Sequence, residues 1–169
     1  MGIAFGVRTG WVADVLADLK GLVQSAGFAP DLVYEYINDP GLELEEPTGD
    51  KFASIYPGTI TTGGPVTDGS PATWAKNDGN FSIDIAARIT KDARGRSVAA
   101  VSEQARGFSD LTKKVCKAVH RENLANSSSQ SHLFEPIRVL SVTFPRRNNV
   151  TGWARATVLL SVKFRMDFS

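Results

Sequence analysis

The last stretch of the chain, Trp153 to Phe168, alternates almost without error. Ala154, Ala156, Val158, Leu160, Val162, Phe164, Met166 and Phe168 fall on one side, and Trp153, Arg155, Thr157, Leu159, Ser161, Lys163, Arg165 and Asp167 on the other. A period of two is the signature of a strand with one face in a core. At roughly 3.3 Å per residue the run would span about 53 Å if flat, against a diameter of about 40 Å for a compact chain of this size. The strand is therefore expected to bend, to pair with another strand of its own sheet, or to reach a neighbouring subunit.

A length of 169 residues suits one domain with a real core. The formal net charge of +1 conceals an uneven distribution. Residues 1–50 hold nine carboxylates against Arg8 and Lys20, whereas residues 51–169 hold seventeen Lys/Arg against nine carboxylates. Such asymmetry suits either a nucleic-acid face or complementary patches meeting between identical subunits. The second is favoured, because the cations are scattered through strands rather than massed in a run. The lone Cys116 has no internal disulfide partner and reads as a small buried hydrophobe. No apolar stretch approaches the roughly 20 residues that cross a bilayer, and no secretory signal is seen. An intracellular, soluble protein is expected.

Trp11, Val12, Val15, Leu16, Leu19, Leu22 and Val23 recur at helical spacing before Gly27 and predict a helix over 10–26. Leu32–Ile37 is rich in strand formers and ends at the turn Asn38-Asp39-Pro40-Gly41. Phe52–Tyr56 predicts a second short strand, stopped by Pro57-Gly58. Residues 57–80 carry Pro57, Gly58, Gly63, Gly64, Pro65, Gly69, Pro71 and Gly79 and predict a long loop. Alternation then returns, with Phe81, Ile83, Ile85, Ala87 and Ile89 inward and Ser82, Asp84, Arg88 and Thr90 outward. A helical pattern runs through Val98, Val101, Ala105, Phe108, Leu111, Val115 and Val119, with Gly107 delaying its regular part to Phe108 or Ser109. Asn123–His132 is a polar, Ser-rich connection expected to be mobile. Ile137–Phe144 predicts a strand, and Pro145–Gly152 a hairpin loop before the final strand. The fold class expected is a single α+β domain over 1–169. Its sheet is mainly antiparallel with two helices on one face, in the order α-β-β-loop-β-α-β-β.

A catalytic reading needs convergent polar groups at a motif spacing, and none is found. His120 and His132, with one cysteine, make no zinc signature. Asp84 and Arg88 share a strand face and are expected to pair across four residues. Glu43, Glu45 and Glu46 read as a solvated connection rather than a glycosidase pair. The run from Gly58 to Gly64 lacks the Gly-Lys-Ser/Thr ending of a phosphate loop. Arg94, Arg96, Arg146 and Arg147 form tight basic clusters on polar turns. Trp11, Trp74 and Trp153 would need gathering on one basic surface to make a stacking platform. No enzyme, cofactor or metal is expected.

The element order, the Pro/Gly-rich insertion and the closing hairpin resemble those of the tail terminator (tail completion) proteins of long-tailed bacteriophages. The resemblance is carried by the helix Trp11–Leu22, the strand Phe81–Ile89, the helix Phe108–Val119 and the hairpin Ile137–Phe168. It implies a virion protein, assembled in the host cytoplasm, at the head-proximal end of the tail. There it would form a ring, commonly a homohexamer, that caps the tail tube and offers a docking surface to the head or neck. The partners implied are other copies of the chain, the tail tube protein, a neck or head-completion protein, and sheath if the tail is contractile. No membrane partner is implied, and nucleic acid only by passage through the lumen. Glu43, Glu45, Glu46, Arg146, Arg147, Arg155, Lys163 and Arg165 are the interface residues expected, an acidic edge against a basic one. Two alternatives stay open: another neck or tail-tube component, and a small nucleic-acid-binding domain using the sheet face with Arg155, Lys163 and Arg165.

Overall fold

The computed structural model describes residues 4–5, 12–35, 50–62, 74–91, 97–99, 107–122, 125–126, 136–144 and 153–167. Among them are two helices, α1 (Val12–Ser25) and α2 (Gly107–Val119), and eight strands. The strands are β1 (Ala4–Phe5), β2 (Val33–Glu35), β3 (Lys51–Thr62), β4 (Trp74–Lys91), β5 (Ser97–Ala99), β6 (Ala125–Asn126), β7 (Arg138–Thr143) and β8 (Trp153–Asp167). The main sheet runs β2-β3-β4-β8-β7, with β5 pairing the end of β4, while β1 and β6 form a separate parallel pair. Within the main sheet every pairing is antiparallel except β2 with β3. The class is α+β, as the periodicities predict.

α1 forms where its apolar stripe repeats at helical spacing. Val15, Leu16, Leu19, Leu22 and Val23 are buried, and the helix ends at Gly27, whose φ of 105° suits a residue without Cβ. Leu111, Val115 and Val119 of α2 enter the same core. Both helices lie on the sheet face formed by Ala53, Ile55, Phe81, Ile83, Ile85, Val158, Leu160, Val162 and Phe164. At about 1.5–3 kcal/mol for each fully buried large apolar side chain, this layer is the main source of stability.

The length of the final strand is resolved inside the chain. β8 pairs with β4 from Trp153 opposite Arg88 to Asp167 opposite Trp74, so the residues that β7 leaves uncovered have a partner in their own sheet.

Four expectations are corrected. Pro57-Gly58 does not stop the second strand: β3 continues to Thr62 through a register shift between Pro57 and Ile60. Pro57 lies beyond the stretch paired with β2, where a missing N–H is tolerated, and a Cβ on Gly58 would stand 2.9 Å from the Asn80 carbonyl oxygen. The 57–80 loop shrinks accordingly, since Ile60–Thr62 pair with Asn77–Gly79 of β4. Alternation was hidden there because the inward positions are Asn77 and Gly79, both buried. Val98 belongs to β5 opposite Thr90 rather than to a helix. Within the Ser-rich connection, Ala125–Asn126 form β6, while the rest of 123–132 and the loop 145–152 lie outside the described residues.

Among the described residues no helix is long and apolar enough to cross a membrane, and no group of three or more His, Cys, Asp or Glu could hold a metal ion.

Candidate subunit interface

The outer sheet face, opposite the helices, is built by the outward positions of β3, β4 and β8. At one end Tyr34, Phe52 and Trp153 make edge-on ring contacts, with centroids 6.2 Å and 5.2 Å apart. The Arg88 guanidinium lies 5.0 Å over the Trp153 ring. Its partner carboxylate is Asp50, at 3.9 Å. The expected Asp84–Arg88 pair is thereby corrected: four residues along an extended strand are about 13 Å, and Asp84 accepts a hydrogen bond from the Thr157 hydroxyl at 2.7 Å instead. The Tyr56 phenol is raised above its usual 10.0, chiefly by burial.

The basic character expected of this face is diluted. Arg155 is exposed opposite Ala86, Lys163 is half-buried opposite Asp78, and the backbone of Arg165 pairs with Lys76. Asp78 also accepts a hydrogen bond from Ser161 at 3.3 Å. Arg155 and Lys163 stand eight residues apart on one strand, about 26 Å, so they form no patch. Glu43, Glu45, Glu46, Arg146 and Arg147 lie outside the described residues.

A different feature stands out at the β7 edge. Among the described residues β7 closes the main sheet and pairs only with β8. Leu140, Val142 and Phe144 are 52%, 37% and 54% exposed, the large hydrophobic residues the described chain leaves to solvent. A register shift between Val139 and Ser141 makes Leu140 an extra residue and flips the apolar parity of the strand, so that Val142, opposite Val158, stays on the helix-bearing face. Val139 still packs on the core, and Phe144 touches Phe108 of α2 edge-on at 6.3 Å. The signal is present in the sequence: apolar positions change from odd (Ile137, Val139) to even (Leu140, Val142, Phe144). A uniform alternation over Ile137–Phe144 passes over that switch.

α2 delivers polar groups to the same edge. The His120 Nδ1 accepts the Val139 N–H at 3.3 Å, covering one strand-edge donor. Arg121, at φ 64°, turns the chain back so that its N–H donates to the Ile137 carbonyl at 2.8 Å, while the Ile137 N–H donates to the Glu122 carbonyl at 3.1 Å. This places the exposed side chains of Arg121 and Arg138 at the start of β7, with Glu122 partly covered beside them.

Comparison with known proteins adds little to this geometry. No family model matches the chain. No curated protein matches it either. A chain in a solved structure, the virion of the native gene transfer agent (GTA) particle, aligns over 88% of this chain and 85% of its own, with 16% identity and a TM-score of 0.46. At that score the likeness carries no functional weight. The chain's own residues must do so.

Cys116 is partly covered on α2, packed against the core, and burial pushes its thiol above the usual 9.0. A protonated thiol against apolar side chains behaves as a small hydrophobe rather than a nucleophile.

Proposed function

We propose that this chain is a structural virion protein, a tail terminator whose subunits form a ring that caps the tail tube and receives the head or neck. The observation that carries the reading is the β7 edge. A strand edge with Leu140, Val142 and Phe144 exposed is a surface awaiting another chain. The charge distribution supports contacts between unlike edges, with residues 1–50 acidic and the remainder basic. The phage-tail resemblance of the element order supplies the assembly in which such edges would be used. The mixed charge of the outer face, where Asp78 and Asp84 sit among Arg155 and Lys163, does not favour the nucleic-acid alternative.

The test combines purified protein with tail tubes built from the tube protein of the same virion. Electron microscopy is expected to show a ring at one tube end, and native mass measurement a defined multiple of the subunit. Tubes are required because a terminator need not assemble before it meets one. A chain that stayed monomeric even with tubes, while binding DNA or RNA with steep salt dependence, would overturn the reading.

A further inference from the structure

α2 carries its charges on one side only. Its buried stripe, Leu111, Val115 and Val119, faces the core, and the opposite side is open to solvent. There Lys113, Lys117 and Arg121 follow one another at every fourth position with Lys114 and His120 beside them, all five exposed. Every residue three or four positions from Lys117 is therefore basic. Like charges at this spacing destabilise a helix, and the only carboxylate of α2 is Asp110, in its first turn. The helix dipole favours a cation in the last turn, which accounts for Lys117. It does not account for Lys113 and Lys114, which stand more than a turn before the end. We infer that the exposed face of α2 holds the phosphate backbone of a double-stranded nucleic acid without reading its sequence. This face lies on the helix side of the sheet, away from Arg155 and Lys163, and its partner is additional to the tube and neck partners of the ring reading.

The chemistry of the stripe selects this partner. From Lys113 to Arg121 it is about 12 Å long, and a duplex offers a continuous line of charge, one phosphate per about 3.4 Å of axis on each strand. Three of its four permanent cations are lysines, point charges on flexible stems that meet phosphates without a fixed geometry. Lysine is depleted from protein–protein interfaces. No aromatic side chain lies among the five residues, so they offer no stacking platform to the bases of a single strand. A membrane surface is excluded on other grounds, because the apolar side of α2 is buried in the core and cannot insert. The surroundings strengthen the positive field. Burial first, and then the charge of Lys114, hold the Lys51 ammonium below its usual 10.5. The His120 N–H donates to the Cys116 carbonyl at 2.9 Å and carries the helical turn past Val119. Arg121 then takes a φ of 64°, where glycine is the common occupant. An arginine at that position lengthens the stripe by one more cation.

The experiment follows the fluorescence anisotropy of a short labelled DNA duplex of mixed sequence with the full chain across a salt series. Three phosphate contacts per subunit predict a slope of about −2.7 in log K against log salt, a loss of about 40-fold between about 50 and 200 mM. A duplex of unrelated sequence binds equally well. Lys113→Gln with Lys117→Gln lowers affinity at low salt by at least about tenfold and takes the slope to about −0.9. Lys117→Glu relieves the like-charge pairs, so it loses binding while its thermal unfolding midpoint stays or rises. Removal of a cation from the other helix, Lys20→Gln in α1, leaves affinity and slope unchanged. Duplex binding that is absent, or that survives Lys117→Glu in the folded protein, overturns the assignment. So does a chain that prefers poly-Glu to the duplex, which would give the stripe an acidic protein partner. Rings on tube ends from a chain that ignores the duplex leave the ring reading standing. Duplex binding by a chain that never caps a tube removes the ring reading alone.

Discussion

Gly79 shows how much one missing side chain matters here. A Cβ at that position would stand 2.8 Å from the Phe81 ring and 3.2 Å from the Phe164 ring, and both rings are fully buried in an edge-on pair with centroids 6.2 Å apart. Rings so enclosed cannot swing away without disturbing Ile60 and the strands around them. Gly79→Ala is expected to lower stability by about 1–3 kcal/mol, as overpacking does, measured by denaturant unfolding. Arg121 presents the opposite case. Its φ of 64° is unfavourable for a residue with a Cβ, so Arg121→Gly is expected to gain up to about 1 kcal/mol in the same measurement. Cys116 adds a pH dependence. Its folded-state pKa lies above 9.0, so above 9.0 the unfolded chain releases the proton first and stability falls with rising pH up to the folded value. Tyr56 acts in the same sense above 10.0. Alkylation of the native thiol should accordingly run slower than in denaturant, and equal rates would show that Cys116 is not shielded.

Each helix is held by one stripe. In α1, Leu19 is fully buried while Ala17 faces solvent, so Leu19→Ala should cost about 2–5 kcal/mol and Ala17→Lys within about 0.5 kcal/mol. Comparable losses from both would mean that α1 is not packed as described. The strands divide differently. β4 is flanked by β3 and β8 through most of its length, and its inward residues Phe81, Ile83 and Ile85 are fully buried. β7 contributes Val139 to the core and leaves Leu140 and Val142 outside. Val142→Lys is therefore expected to leave the unfolding transition almost unchanged while reducing self-association, read by sedimentation across a concentration series.

Across the whole molecule, charge separation is the property that assembly would use. Residues 1–50 and 51–169 differ by about fifteen formal charges, −7 against +8. Attraction between exposed charges is screened within about 8–10 Å at ordinary salt, so a ring joined through unlike edges should dissociate progressively as ionic strength rises. Arg146→Glu with Arg147→Glu should weaken assembly if residues 145–152 meet an acidic neighbour. Unchanged assembly would show that those arginines take no part in it.

Much of this architecture could be read from residue order, because the information is local. The stripe of α1 follows from a repeat of 3.6, and the strands Phe81–Ile89 and Trp153–Phe168 follow from a repeat of two. Those patterns exist before any long-range contact forms. What stayed hidden depends on partners distant in the chain. Trp74–Asn80 reads as loop because Asn77 and Gly79 occupy its inward positions, yet pairing with Ile60–Thr62 and Ser161–Asp167 makes it strand. The same holds for the final strand. Its alternation shows that it is long and half-buried, but that β4 accompanies it for fifteen residue pairs is a matter of register between segments roughly eighty residues apart. Periodicity reports which side of a strand is wet or dry. It carries no label for the strand alongside, so the terminal place of β7, with Leu140, Val142 and Phe144 exposed, emerges only once the sheet is ordered.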